Sequence, residues 1–169
     1  GHVSARQLSD ELGLSALLAN DADLAALGEH RFGAGRGSRD MVFLTASTGV
    51  GAGVIVGGKL LHGRLSLAEI GHTIIDRSTG HTVEYLGSGT ALARLAGEDA
   101  GSVASRAAAG EPDAARLFAG VAADFAIGVF NMVHLFTPDT VVIGGGMSQA
   151  GELLLGPVRA ALTKCAEGC

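Results

Sequence analysis

Five polar residues in three short motifs could hold the hydroxyl groups of a sugar. Asn20 and Asp21 are adjacent, Glu69 and His72 are three residues apart in AEIGHT, and Glu84 lies in HTVEY. Carboxylates, an imidazole and an amide together supply the donors and acceptors that each hydroxyl needs. Taken singly, Asp21 has the ordinary explanation of a helix cap, Glu69 of a surface charge and His72 of a structural hydrogen bond.

A glycine-rich stretch, LTASTGVGAGVIVGGKLLHG from Leu44 to Gly63, places Gly49, Gly51 and Gly53 on alternate positions. A tight turn with few side chains exposes successive backbone N–H groups, which can hold phosphate oxygens, and Thr48 could add a hydroxyl donor. The alternative is a hairpin whose glycines only permit close packing. Both interpretations remain open on this motif alone.

A second glycine cluster lies in VVIGGGMS and consists of Gly144, Gly145 and Gly146. It follows a short apolar strand and precedes a helix, which is where open α/β sheets bind nucleotides. A plain strand–turn–helix corner would also explain it. Because glycine costs stability at both clusters, their combination favours a nucleotide site.

Hydrophobic periodicity predicts the elements that position these motifs. The longest predicted helix, Pro112 to Phe136, carries Gly120 and Gly128, which indicate a closely packed neighbour. Strands preceding helices, followed by one more strand and helix, predict an α/β domain with a mixed sheet. The remaining predicted helices cover 4–12, 22–32, 88 onward and 149–164, and the predicted strands cover 15–19, 41–46, 50–56, 68–75 and 140–143.

The composition excludes several classes of protein. The 169 residues carry a net charge of −5 with 12 Lys and Arg, which argues against a nucleic-acid surface. No apolar window of membrane-spanning length and no signal peptide are expected, so a soluble, cytoplasmic protein is predicted. Cys165 and Cys169 indicate neither a disulfide framework nor a metal site.

The motifs NDADLAALGE, LTASTGVGAGVIVGGKLLHG, AEIGHT, EYLGSGTAL and TPDTVVIGGGMS, in this order, resemble the ROK family of sugar kinases and sugar-responsive repressors. The resemblance implies an actin-like ATPase (ribonuclease H-like) α/β fold, present mostly as the carboxyl-terminal lobe with a stub of the amino-terminal lobe. It also implies that Asp21 is the catalytic base. By the same resemblance Asn20, Glu69, His72 and Glu84 bind sugar, and Thr48, Gly49, Gly51, Gly144, Gly145 and Gly146 bind nucleotide.

Two departures from the family pattern are visible. The family usually carries a CxCGxxGC zinc loop after the GH histidine, whereas residues 73–83 contain no cysteine, so no zinc is expected. A replacement metal site built from His72, His81 and Asp76 is the less favoured alternative. The family's DxGGT phosphate loop is also missing, so residues 1–35 are interpreted as a remnant of the amino-terminal lobe and 36–169 as the carboxyl-terminal lobe. Gly1 and His2 are interpreted as a cloning remnant.

The expected activity is ATP-dependent and Mg²⁺-dependent phosphorylation of a hexose or N-acylhexosamine, weak or lost in so short a chain. A homodimer is expected, and no membrane or nucleic-acid partner. Two alternatives remain: the effector domain of a sugar-sensing ROK repressor, and a folded structural unit without activity.

Overall fold

The computed structural model describes residues 4–63 and 67–166, without the side chains of 164–166. Gly1, His2, Cys169 and the side chain of Cys165 therefore lie outside the described part of the chain. The helices are α1 (Ala5–Leu12), α2 (Asp21–Phe32), α3 (Val83–Gly87), α4 (Gly89–Ala96), α5 (Ala100–Ala108), α6 (Pro112–Phe136) and α7 (Glu152–Ala166). The strands are β1 (Met41–Ala46), β2 (Val50–Val56), β3 (Lys59–Leu60), β4 (Ile74–Asp76), β5 (His81–Thr82) and β6 (Thr140–Gly144).

A mixed four-stranded sheet in the order β3-β2-β1-β6 organises the chain. Strands β1 and β2 form an antiparallel hairpin from Met41↔Ile55 to Ala46↔Val50, and β6 joins β1 in parallel. The predicted mixed sheet is confirmed. Strands β4 and β5 form a separate small hairpin.

Helices cover both faces of the sheet. The larger hydrophobic core joins the sheet to α3–α7, with Phe118 and Phe125 of α6 fully buried in it. A smaller cluster on the other face includes Ala26 of α2, Phe43 and Ile55. Helix α2 thus packs directly on the sheet that follows it, and the division at residue 35 stays a prediction.

Helix α6 has the predicted bounds, with Pro112 in its first turn and Thr137 in a left-handed conformation after its end. By length and composition alone α6 could span a membrane, so the expectation that the chain has no apolar stretch of that length was wrong. The burial of Phe118, Phe125 and Met132 identifies it as the central helix of this domain. Of its two glycines, Gly128 packs against Val83 as predicted, whereas Gly120 is exposed and has no close neighbour.

Two predicted elements are wrong, and a third begins later than predicted. Residues 15–19 are not a strand: they form no ladder with any described residue, and Leu17 is 91% exposed. Instead of a strand over 68–75, a 3₁₀ turn spans Ile70–His72 and β4 begins at Ile74. The last helix begins at Glu152, because a 3₁₀ turn occupies Gly146–Ala150.

Candidate functional site

The amino-terminal end of α2 carries the first two predicted site residues. Asn20 is the N-cap: its side-chain oxygen accepts hydrogen bonds from the amides of Ala22 and Asp23, at 2.9 and 3.3 Å. Asp21, the first helical residue, is exposed. Its carboxylate is therefore available to a ligand beside the cap.

Two glycines of β2 set how closely α2 approaches the sheet. A Cβ atom on Gly53 would lie 2.6 Å from the Cβ of Ala26 and 2.8 Å from the carbonyl oxygen of Ala22. A Cβ atom on Gly51 would lie 3.3 Å from the Cβ of Ala22. Close packing of α2 thus explains both glycines, and a nucleotide contact at Gly51 stays a prediction.

A cleft of about 350 Å³ opens between α2, the β1–β2 turn and α3. It brings together all the residues predicted for catalysis and sugar binding, and also the predicted phosphate residues of the β1–β2 hairpin. Its lining consists of Asn20, Asp21, Ala22, Thr45, Ser47, Thr48, Gly49, Val50, Gly51, Ala52, Glu69, His72 and Glu84. Three carboxylates, an imidazole and an amide around one cleft suit a polyhydroxylated ligand.

Glu69 and His72 reach the cleft from the two ends of the 3₁₀ turn. The turn rests on β2 because Gly71 lies against the carbonyl oxygen of Val50, where a Cβ atom would collide. The Nε2 atom of His72 is 3.9 Å from a carboxylate oxygen of Glu69. Ala68, just before the pair, has a φ of +64°, a conformation that costs a non-glycine residue about 1–2 kcal/mol.

Glu84 connects the sugar side of the cleft to the β1–β2 turn. Its Oε2 atom accepts a hydrogen bond from the Val50 amide at 2.9 Å. A Cβ atom on Gly49 would collide with the same oxygen, so a larger residue at this position would displace the Glu84 carboxylate. The carboxylate therefore fixes the end of the turn as well as facing the cleft.

Two residues of the β1–β2 turn, Thr48 and Gly49, present unpaired backbone amides, whereas the Ser47 amide donates a hydrogen bond to the Gly49 carbonyl oxygen at 3.0 Å. The carbonyl oxygens of Ser47 and Thr48 accept hydrogen bonds from the first amides of α4, those of Gly89 and Thr90, at 2.7 and 3.3 Å. Among the described residues, the amides of Thr48 and Gly49 have no hydrogen-bond partner. With the carbonyls held by α4 and these amides free, the turn can receive an anion.

A second cavity of about 320 Å³ lies on the other side of this turn and shares Ser47 and Thr48 with the cleft. Mostly apolar groups line it, which suits a flat aromatic ligand. Its other lining residues are Gly89, Thr90, Leu92, Ala93, Asp99, Ala100, Gly101, Ala104, Phe118, Gly146 and Met147.

The second glycine cluster contributes to this cavity through Gly146. Gly144 packs on the ring of Phe43, and a Cβ atom on Gly145 would collide with the carbonyl oxygen of Ala46. Both glycines are therefore explained by packing. Nucleotide contacts at Gly144 and Gly145 stay predictions.

The sequence interpretation missed the apolar walls of the second cavity. Leu92 and Phe118 lie on different helices, and their pattern is that of ordinary core residues. It also missed Asp23, which is 4% exposed and has an oxygen 4.0 Å from Nδ1 of His62. The capping pattern NDAD is a signal that could have drawn attention to Asp23.

The residues suggested for a replacement metal site have other partners. The Asp76 carboxylate accepts hydrogen bonds from the hydroxyls of Ser78 and Thr79, both at 2.7 Å, and these lower its pKa to about 2. The His81 ring stacks on Tyr85. Within residues 4–63 and 67–166 no group of three or more His, Cys, Asp or Glu could hold a metal ion.

Comparison with known proteins adds to this geometry. The sequence model of the ROK family matches residues 5–168. The chain is 41% identical over 156 residues to the bifunctional enzyme NanE/NanK of Brucella melitensis, covering 88% of this chain and 30% of that protein. It is 37% identical to the glucokinase of Thermotoga maritima, covering 90% of this chain and 58% of that protein.

Solved structures are similar over nearly the whole chain. A ROK glucokinase from Streptomyces griseus, in complex with glucose and AMPPNP, superposes with a TM-score of 0.85 at 30% identity, covering 95% of this chain and 61% of that one. A ROK family transcriptional regulator, a homologue of the E. coli MLC protein, has a TM-score of 0.84 at 26% identity, covering 95% and 46%. The chain thus spans about half of such proteins, and the expected actin-like ATPase fold is confirmed.

Proposed function

This chain belongs to the ROK family, and from that premise we propose that it forms the sugar-binding and nucleotide-binding part of an ATP-dependent hexose or N-acylhexosamine kinase. The observation that carries the proposal is the turn with the free amides of Thr48 and Gly49, which separates a polar cleft from an apolar cavity. A sugar in the cleft and a nucleoside in the cavity would meet at this turn. Backbone amides there would stabilise charge on the transferred phosphoryl group.

Asp21 is the proposed catalytic base. It would accept the proton of the sugar hydroxyl that attacks the γ-phosphorus in line, and orient that oxygen. Asn20, Glu69, His72 and Glu84 would hold the remaining hydroxyls. Of these, Asn20 would donate from its amide NH₂ group, because its side-chain oxygen already accepts the capping hydrogen bonds of α2.

Mg²⁺ is expected to arrive with the nucleotide. It binds through phosphate oxygens, waters and one or two carboxylates, and neutralises phosphate charge. Within the described residues no group of three or more His, Cys, Asp or Glu could hold the ion, so phosphate oxygens and waters would supply most of its ligands. A homodimer and a cytoplasmic location remain part of the proposal.

Asp21→Asn tests the proposal in the full-length protein. We expect phosphoryl transfer to glucose and to N-acetylmannosamine to fall by about a thousandfold or more, while sugar affinity stays within about threefold, since positioned proton acceptors typically contribute 10²–10⁴-fold. Asp10→Asn on exposed α1 is the matched control and should have wild-type turnover. Retained turnover in Asp21→Asn would remove Asp21 from this role.

The alternative is the effector domain of a sugar-responsive regulator, which the structural likeness to such a regulator supports. Both functions need the polar cleft, but a regulator needs no apolar cavity beside free amides. Sugar binding without ATP-dependent phosphorylation in the full-length protein would favour the regulator.

A further inference from the structure

Two of the residues proposed to bind sugar, His72 and Glu84, are joined by one short segment. His72 ends the 3₁₀ turn, Glu84 lies in the first turn of α3, and residues 73–83 between them form the β4–β5 hairpin. The amide of Val83 donates to the carbonyl oxygen of Thr73 at 3.0 Å, which closes the base of the hairpin. The conformation of this hairpin therefore sets the spacing of His72 and Glu84.

The zinc ion that the family resemblance implies does not fit this segment. Its potential ligands are Asp76 and His81, since residues 73–83 contain no Cys, Glu or other His. Asp76 is occupied by Ser78 and Thr79, and the His81 ring lies flat on Tyr85. Another interaction must hold the hairpin in place.

Tyr85 supplies that interaction. The ring centroids of His81 and Tyr85 are 4.0 Å apart, with 25° between their planes. The guanidinium carbon of Arg94 on α4 lies 4.1 Å from the centroid of the Tyr85 ring, and Arg94 donates a hydrogen bond to the Tyr85 carbonyl oxygen at 2.8 Å. The stack thus connects β5, α3 and α4 across the base of the hairpin.

We propose that the stack of His81, Tyr85 and Arg94 is a metal-independent clamp that positions His72 and Glu84 for sugar binding. Tyr85 is its positioning residue, and it acts through the hairpin, because it is absent from the lining of the cleft. The proposal rests on the function proposed above. If the clamp operates, sugar affinity depends on the exposed aromatic ring of Tyr85 and does not depend on zinc.

The test compares Tyr85→Leu, which removes the aromatic ring, with Tyr85→Phe, which keeps it. In the full-length protein we expect Tyr85→Leu to raise KM for the sugar about tenfold, since misplaced groups can cost up to about 10²-fold. KM for ATP should rise by a smaller factor, because Glu84 also holds the end of the β1–β2 turn. Tyr85→Phe should match the wild type. Arg94→Gln removes the guanidinium from the Tyr85 ring and should raise the KM for the sugar by a smaller factor.

Hydrogen exchange of residues 72–84 provides a readout that does not depend on kinase activity. Tyr85→Leu should speed exchange there and leave α6 unchanged, and treatment with a zinc chelator should have no effect on the wild type. Unchanged exchange in both Tyr85→Leu and Arg94→Gln, or faster exchange after chelation, would overturn the clamp. Absence of phosphorylation in the wild type with faster exchange in Tyr85→Leu would refute the proposed function while retaining the clamp.

Discussion

Gly53 of β2 lies so close to Ala26 of α2 that a Cβ atom added to the glycine would be 2.6 Å from the alanine methyl carbon. The carbonyl oxygen of Ala22, at 2.8 Å from the same position, belongs to the helix backbone and cannot rotate away. Since α2 carries Asp21 at its first position, this contact also sets where the proposed base stands.

Gly53→Ala should therefore displace α2. We expect a loss of about 2 kcal/mol in the free energy of unfolding, typical of an overpacked core, and a decrease of about tenfold or more in kcat of the full-length kinase. Urea denaturation and steady-state kinetics measure the two effects. Gly51→Ala, with its nearest contacts at 3.3 Å, is the milder control for the free energy of unfolding, and it is not the control for kcat because Gly51 lines the cleft. Equal effects of the two variants on the free energy of unfolding would contradict this explanation.

Two glycines of α6 form a matched pair for stability. In Gly128→Ala the new methyl group would lie 2.9 Å from Cγ1 of the fully buried Val83, next to Glu84, whereas Gly120 has open space around it. We expect Gly120→Ala to stabilise the fold by about 1 kcal/mol through helix propensity, and Gly128→Ala to destabilise it by about 1 kcal/mol because overpacking outweighs that gain. Thermal denaturation of both variants checks the opposite signs.

Ala68 should gain stability from substitution by glycine. Its φ of +64° is strained for a residue with a side chain and unstrained for glycine. We expect Ala68→Gly to raise the free energy of unfolding by about 0.5–1 kcal/mol, the relief of that strain less the greater entropy of the unfolded chain. Ala119→Gly, at an exposed position of α6, should instead lower it by about 1 kcal/mol. A loss of stability in Ala68→Gly would contradict the strain.

The β4–β5 hairpin should respond to acid through Asp76. Hydrogen bonds from Ser78 and Thr79 lower the pKa of Asp76 from 3.8 to about 2, so its contribution to stability is present above pH 3.8 and is lost as the pH falls through about 2. The pKa of Asp124 on α6 is shifted in the opposite direction: burial of its carboxyl group, and then the Asp76 charge, raise it.

The chemical shift of the Ser78 amide proton, which donates to Asp76 at 2.8 Å, is the appropriate probe. We expect it to titrate with a midpoint near 2 and to lose that transition in Asp76→Asn. A midpoint at 3.8 would show that the hydrogen bonds do not favour the carboxylate.

The sequence was most informative where a motif is local. Asn20 beside Asp21 predicted the start of α2, and Pro112 and Phe136 were correctly predicted as the first and last residues of α6. Grouping the polar motifs into one site also agrees with the geometry, because Asp21, Glu69 and Glu84 line one cleft. The individual roles of these residues stay predictions.

Contacts between distant segments account for what the sequence left open. The spacing of Gly51 and Gly53 had two interpretations, and the packing of α2, which no local pattern reveals, supplies a structural reason for both glycines. Residues 15–19 are a short apolar run that was predicted as a strand, but a strand needs a partner, and none of the described residues pairs with them. The apolar cavity was missed because its walls, among them Leu92 and Phe118, have the pattern of ordinary core residues.

Ser47 and Thr48 form a thin wall between the cleft and the second cavity, and this arrangement matters for inhibitor design. Because these two residues border both cavities, one molecule carrying a polyol at one end and a planar heterocycle at the other needs a linker that crosses a single turn. Tethering makes occupation of the second cavity intramolecular, so the joined compound gains avidity over its separate halves without any new contact.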